Sequence, residues 1–295
     1  MLPGLLLAAQ LLLMSDRASF WNADKISDHT EIEWESTQKN VTLTSREIKG
    51  KNVLLLVHGY NNNAKEALST YRLINVHVST FKDHHSKFYD YVIGYLWPGY
   101  DKTWDYFEAK HNVSKLAQRM RSHLEFLSAS AEKVDVLAHS MGNRLMLEAL
   151  DHPSQQKKKL VQNYFALAPA VDNEALEKKE KYYLSTQNCE QVFVFYSKRD
   201  EVLKWSYSLA EGDRALGLEG AEHPNRLPQN VQLINYTSFV DGHSQYFAFL
   251  PVYEFIKNQF AVHSPKNGLE KTHLLMDNSN NAANNTMLSK ISPPE

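Results

Sequence analysis

Apolar positions along this chain alternate between two periods. "NVLLLVHGY" carries an unbroken apolar run over residues 53–57 that stops at His58-Gly59, the pattern of a strand buried on both faces of a parallel sheet. Next come Ala64, Ala67, Leu68, Tyr71, Ile74 and Val78, spaced as one face of a helix, with Asn63 placed to cap it. The two periods then recur. "YDYVIGYLWP" predicts a strand ended by Pro98, and Val113, Leu116, Ala117, Met120, Leu124 and Leu127 predict a helix. "VDVLAH" and "MGNRLMLEAL" repeat the pair, and "NYFALAPAVD", "QVFVFYSKRD" and "VQLINYTS" predict three more strands. "NEALEKKEKYYL" predicts a helix between the first two of these, and "YFAFLPVYEFIKNQF" a closing helix.

Strands alternating with amphipathic helices define an α/β fold: a mostly parallel central sheet with helices on both faces. Ahead of it, "EIEWES" and "VTLTSREI" alternate as antiparallel strands at the N-terminal edge of the sheet. The α/β domain is expected over residues 28–263. Residues 1–27 form an apolar N-terminal segment, too short at "MLPGLLLAAQLLLMSDR" for a spanning helix. It has no Lys or Arg before Arg17 and no small-x-small cleavage site, so a signal or membrane anchor is the second reading and a cytoplasmic chain the default. Residues 264–295 are Asn-rich, lack apolar periodicity and are expected to be disordered.

Composition narrows the function by exclusion. A formal net charge of −2 and a single short basic run, Lys157–Lys159, give no general attraction for nucleic acid. One cysteine, Cys189, rules out an intrachain disulfide or a cysteine-based zinc site. Adjacent His84 and His85 beside Asp83 lack the i, i+4 spacing of a helical metal pair, so no metal is expected.

The chemistry-bearing residues stand at strand ends, where open parallel sheets gather their reactive groups. Ser140 lies between a strand and a helix in "AHSMG", flanked by small Ala138 and Gly142 as a tight strand-to-helix turn requires. The alternative for Ser140 is a helix cap. Asp200 ends a later strand and His243 follows the last one, so the order Ser140, Asp200, His243 suits a nucleophile, an orienting acid and a base. Asp172 is the rival acid. Two backbone N–H groups, of Met141 and of Tyr60, would hold an oxyanion, with Gly59 letting the chain turn and His58 supporting the loop. Trp97, Trp104, Tyr106 and Phe107 either line a pocket or pack inside. The segment Trp205 to Asn230, with glycines at 212, 217 and 220, would suit a loop over the site.

"LLLVHGYNN" followed by "VLAHSMGNRLMLEAL" resembles the α/β-hydrolase superfamily, and most nearly a largely uncharacterised, mostly bacterial branch carrying an A-H-S-M-G-N-R elbow. In that branch alanine is usual where Ala138 stands. "LAPAVD", "SKRDEVL" and "GHS" resemble it too, over roughly residues 50–260. The resemblance implies the α/β-hydrolase fold and a serine-hydrolase mechanism. It does not imply a substrate; from the triad residues a small-molecule carboxylic ester is expected, with a thioester or lipid ester as variants and no cofactor. A non-catalytic scaffold or an amidase on the same triad is the alternative.

Overall fold

In the computed structural model, residues 9–80, 82–83, 86–100, 102, 105–152 and 158–262 are described. Trp104, His84, His85, Lys157 and the Asn-rich segment 264–295 lie outside them. The N-terminal strands are β1 (Gln10–Arg17), β2 (Ile26–Trp34) and β3 (Lys39–Asn40), followed by helix α1 (Ser45–Ile48). Next come β4 (Asn52–Val57), α2 (Ala64–Ser79), the two-residue strands β5 (Lys82–Asp83) and β6 (Ser86–Lys87), and β7 (Tyr91–Leu96). Helix α3 (Tyr106–Ser130), β8 (Lys133–His139), α4 (Met141–Leu150), β9 (Val161–Leu167), α5 (Tyr183–Thr186) and β10 (Cys189–Tyr196) complete the centre. A π-helical turn (Leu203–Tyr207), α6 (Ser208–Glu211), α7 (Leu216–Glu219), β11 (Val231–Asn235) and α8 (Leu250–Val262) finish the chain.

The large sheet has nine strands in the order β11-β10-β9-β8-β4-β7-β1-β2-β3. Every pairing from β11 through β1 is parallel, while β2 and β3 are added antiparallel at the N-terminal edge. Strand β4 shows why its sequence reads as a continuous apolar run. Val53, Leu55 and Val57 pack on one face with α3 and α4, and Leu54 and Leu56 on the other with α2 and α8. Alternating side chains therefore all meet core. The six expected apolar positions of α2 are its buried ones, and Asn63 caps it by accepting from the Glu66 N–H. The chain leaves β4 toward β7 on one side and then returns to β8 on the other. That reversal opens a crevice at the carboxyl ends of β4 and β8.

Three expectations need correction. The N-terminal segment contributes β1, buried between β7 and β2 and within the sheet, so the domain extends upstream of residue 28. "VTLTSREI" is not a strand: Thr44 and Glu47 form a reciprocal capping box that starts α1. "NEALEKKEKYYL" is mostly turns, because buried Glu177 turns away to accept from the N–H and ring of His223, and Lys179 takes a positive φ of 81°. Among the described residues no helix is long and apolar enough to cross a membrane.

Candidate active site

Ser140 joins β8 to α4 with φ 54° and ψ −125°, a backbone conformation sparsely populated by non-glycine residues. It occupies the cap position of α4 but makes no side-chain cap hydrogen bond, which removes the helix-cap alternative. Its carbonyl accepts from the N–H groups of Asn143 and Ala170, and its own N–H donates to Leu167, so the main chain is held on both sides.

Two glycines create this approach of strand and helix. A Cβ on Gly142 would lie 2.4 Å from the His58 carbonyl oxygen and 2.8 Å from that of Val57. A Cβ on Gly59 would lie 2.8 Å from the Ser140 Cβ. Gly59 is thus required by contact with Ser140, and the left-handed turn residue of the loop is Asn61, at φ 57°. Gly142→Ala is expected to cost about 1–3 kcal/mol through forced backbone shifts. Thermal melting checks it, and an unchanged Tm would show that α4 can draw back from β4 without penalty.

His243 donates from Nδ1 to the Asp200 carboxylate at 2.7 Å. A carboxylate only accepts, so Nε2 is left with its lone pair, the tautomer a general base needs. The second Asp200 oxygen accepts from the Leu203 N–H, and the carboxylate is buried. Ser197 Oγ donates to the Val240 carbonyl at 2.5 Å, joining the loop of Asp200 to the loop of His243. Asp172 is engaged elsewhere, accepting from the Tyr207 hydroxyl at 2.5 Å. Ser140 and His243 line one cavity of about 850 Å³, with no hydrogen bond between them among the described residues.

Met141 and Tyr60 line the same cavity. Among the described residues, neither main-chain N–H has an acceptor; that of Met141 is the first donor of α4, which has no partner within a helix. The loop of Tyr60 is pinned by Asn61 and Asn62 N–H bonds to the carbonyls of Gly99 and Tyr100. His58 supports it from beneath. Its N–H donates to the Tyr71 hydroxyl, its carbonyl accepts from the Trp97 indole, and its ring stacks on Trp97 at 5.6 Å. Burial first, and the adjacent Arg17 charge second, push the His58 pKa down to about 3, so it stays neutral.

Sequence reasoning missed two of the supports. Arg17, inside the apolar N-terminal segment, donates to the carbonyls of Trp97 and Asn62 and to His58 Nε2. Arg144, buried on α4, pairs with Glu211 at 3.1 Å, and Lys110 and the Tyr106 hydroxyl bind the same carboxylate. These bonds fasten one end of the segment Leu203–Glu211 over the cavity. Arg144 next to the apolar run Leu145–Leu147 of "MGNRLMLEAL" was the available signal, since a buried arginine demands a partner. Of the expected pocket aromatics, Tyr106 and Phe107 line the cavity, whereas Trp97 is fully buried against His58. From the expected covering loop, Ser206, Tyr207, Leu209 and Ala210 line the cavity. The remainder is mainly turns around the short helix α7, with Gly212 and Gly220 at positive φ ending α6 and α7.

A doubly covered, mostly parallel sheet with a strained serine at one strand end and an Asp-His pair at two others is the architecture of an α/β hydrolase. The family described as "Alpha/beta hydrolase of unknown function (DUF900)" matches residues 33–245, and the chain belongs to it. No curated protein sequence matches the chain. Among solved structures it is similar to an esterase from an Arctic intertidal metagenomic library, at 13% identity and a TM-score of 0.43 over 78% of this chain and 88% of that one. The Pyrococcus furiosus esterase Pf2001 is similar at 13% identity and 0.43, over 79% and 86%. Aspergillus fumigatus lipase B is similar at 15% identity and 0.42, over 69% of this chain; the match spans half of that lipase.

Proposed function

We propose that this chain hydrolyses a carboxylic ester through an acyl-enzyme intermediate. The hydrogen bond of His243 Nδ1 to Asp200, beside a strained Ser140 in one cavity, carries the reading. Nε2 of His243 takes the Ser140 hydroxyl proton as Oγ attacks the ester carbonyl carbon. The N–H groups of Met141 and Tyr60 hold the resulting oxyanion, each donor being worth roughly 10²–10³ in rate. Collapse expels the alcohol, which receives the proton from His243 and leaves Ser140 acylated. Water, deprotonated by the same imidazole, then releases the acid and restores Ser140. Asp200 holds the tautomer and stabilises the imidazolium. This chemistry needs neither a metal nor an organic cofactor. The apolar part of the cavity wall, Phe107, Val202, Leu203 and Leu209, suits the hydrocarbon portion of the substrate.

A fluorophosphonate probe, which presents phosphorus where the ester presents its carbonyl carbon, tests the reading on purified protein. One adduct is expected by intact mass, mapped to Ser140 and absent from Ser140→Ala and His243→Ala. A folded sample that takes no adduct would overturn it.

A further inference from the structure

Ser140 is preceded by a second buried imidazole, which the steps above do not use. His139 ends β8, is 4% exposed, and places Nε2 2.9 Å from the main-chain carbonyl of His243. Its ring centroid lies 4.5 Å from that of His243 and 4.8 Å from that of Phe247. A carbonyl only accepts, so Nε2 carries the hydrogen and His139 is the donor. Its bonding state is therefore readable from the geometry.

We propose that His139 is a positioning residue that fixes the general base His243 relative to the nucleophile. The proposal rests on the assignment of Ser140 and His243 made above. His243 belongs to neither a strand nor a helix, so its backbone needs anchors from elsewhere. The ion pair of Arg199 with Asp241, two residues away, is 2.7 Å long but 55% exposed on both sides, and exposed pairs hold little. Ser197 grips the loop at Val240. His139 alone among the described residues bonds the main chain of His243 itself. It is also covalently next to Ser140, so the spacing of nucleophile and base is set through one peptide unit and one hydrogen bond. Submolecular precision of this kind matters because a displacement of about 1 Å can cost about 10²-fold in rate.

The neutrality of His139 fits the same role. Its burial, and then the neighbouring His243, push its pKa down to about 3. When His243 takes up the Ser140 proton, the ring against it bears no charge to oppose the imidazolium. A surface histidine at this spot would do so below neutral pH.

Two substitutions separate the hydrogen bond from mere packing. His139→Phe keeps a ring against His243 and Phe247 but has no N–H to offer; His139→Gln keeps an N–H donor without the ring. On ester hydrolysis, His139→Phe is expected to lower kcat at least about tenfold with KM within about twofold, and His139→Gln to recover most of kcat. A second readout needs no turnover. The low-field proton resonance of His243 Nδ1–H, bonded to Asp200, is expected in the wild type and His139→Gln and to be shifted or lost in His139→Phe. Wild-type kcat in His139→Phe, or an equal fall in both variants, would overturn the proposal. Should the wild type neither hydrolyse esters nor take the phosphonate, the assignment of Ser140 fails. The proposal, which rests on that assignment, then falls with it, whereas an active wild type with an unaffected His139→Phe variant marks the failure of the proposal alone.

Discussion

Replacing Asp200 with asparagine is expected to cut kcat/KM about 10⁴-fold, with the fold intact. The carboxylate accepts the Nδ1 hydrogen of His243 at 2.7 Å, which leaves Nε2 free to take a proton. An asparagine side chain in the same place presents an N–H, and the imidazole then either loses the bond or moves its hydrogen to Nε2. A base in that tautomer cannot accept from Ser140. Asp172→Asn is the comparison, because Asp172 binds the Tyr207 hydroxyl and makes no contact with His243 among the described residues. Its kcat/KM should stay within about tenfold of wild type, the loss coming only from a displaced covering segment. Steady-state hydrolysis of a chromogenic ester by both variants, with melting curves as the control for folding, decides the matter. A larger loss in Asp172→Asn than in Asp200→Asn would reverse the assignment of the acid.

The largest expected effect on stability belongs to Asp16, on β1. It is fully buried and accepts from the hydroxyls of Thr30 and Tyr95 at 2.5 Å each and from Arg119 at 3.1 Å, with His123 3.7 Å away. Asp16→Ala leaves the Tyr95 hydroxyl without its acceptor and Arg119 with only the Ser27 carbonyl, around a void, and removing one partner of a buried ion pair typically costs about 3–5 kcal/mol. At about 2–4 °C per kcal/mol for a chain of this size, Tm should fall by roughly 6–20 °C. Acid should act through the same group. Burial pulls the Asp16 pKa up, but hydrogen bonds from His123, Thr30 and Tyr95 outweigh it, leaving the pKa at about 2 against an ordinary 3.8. A lowered native pKa means stability present above the unfolded value and lost as pH falls from 3.8 through about 2. The contribution is about 2 kcal/mol. Denaturant melts of wild type and Asp16→Ala across that window should show a shallower acid loss in the variant. Parallel curves would show that Asp16 is not the group being protonated.

Legibility in the sequence followed the reach of the forces involved. Local ones were readable: the cap at Asn63, the face of α2 and the apolar run of β4 depend on neighbours a few residues away. The placement of Ser140, Asp200 and His243 at strand ends was readable because chain order restricts where such groups can meet; their catalytic roles belong to the proposal. Only distance in space separated Asp200 from Asp172, and that needed the fold. Gly142 was legible as a small residue, but Gly59 was assigned to the turn when its reason is contact with Ser140. β1 was illegible for a physical reason. A strand buried on both faces and the apolar core of a signal segment are both uninterrupted hydrophobic runs, and the residues that pair with β1 in parallel, beginning at Tyr91, lie far along the chain. His139 and Arg144 had roles that depend on His243 and Glu211, equally remote.

The pairing of β1 with β7 also bears on how the chain is made. Gln10 faces Tyr91 in that register, so β1 leaves the ribosome long before the strand it must lie beside. At about 5–20 residues per second, that interval is roughly 4–16 s. β2 arrives sooner and can cover one edge of β1 as a hairpin, leaving the other edge unpaired and the leucines on both faces of the strand open to the solvent. An apolar strand with an unpaired edge is what holding chaperones bind and what neighbouring nascent chains aggregate through. The yield of this protein should therefore respond to translation speed across residues 35–96 more than to speed in any later stretch.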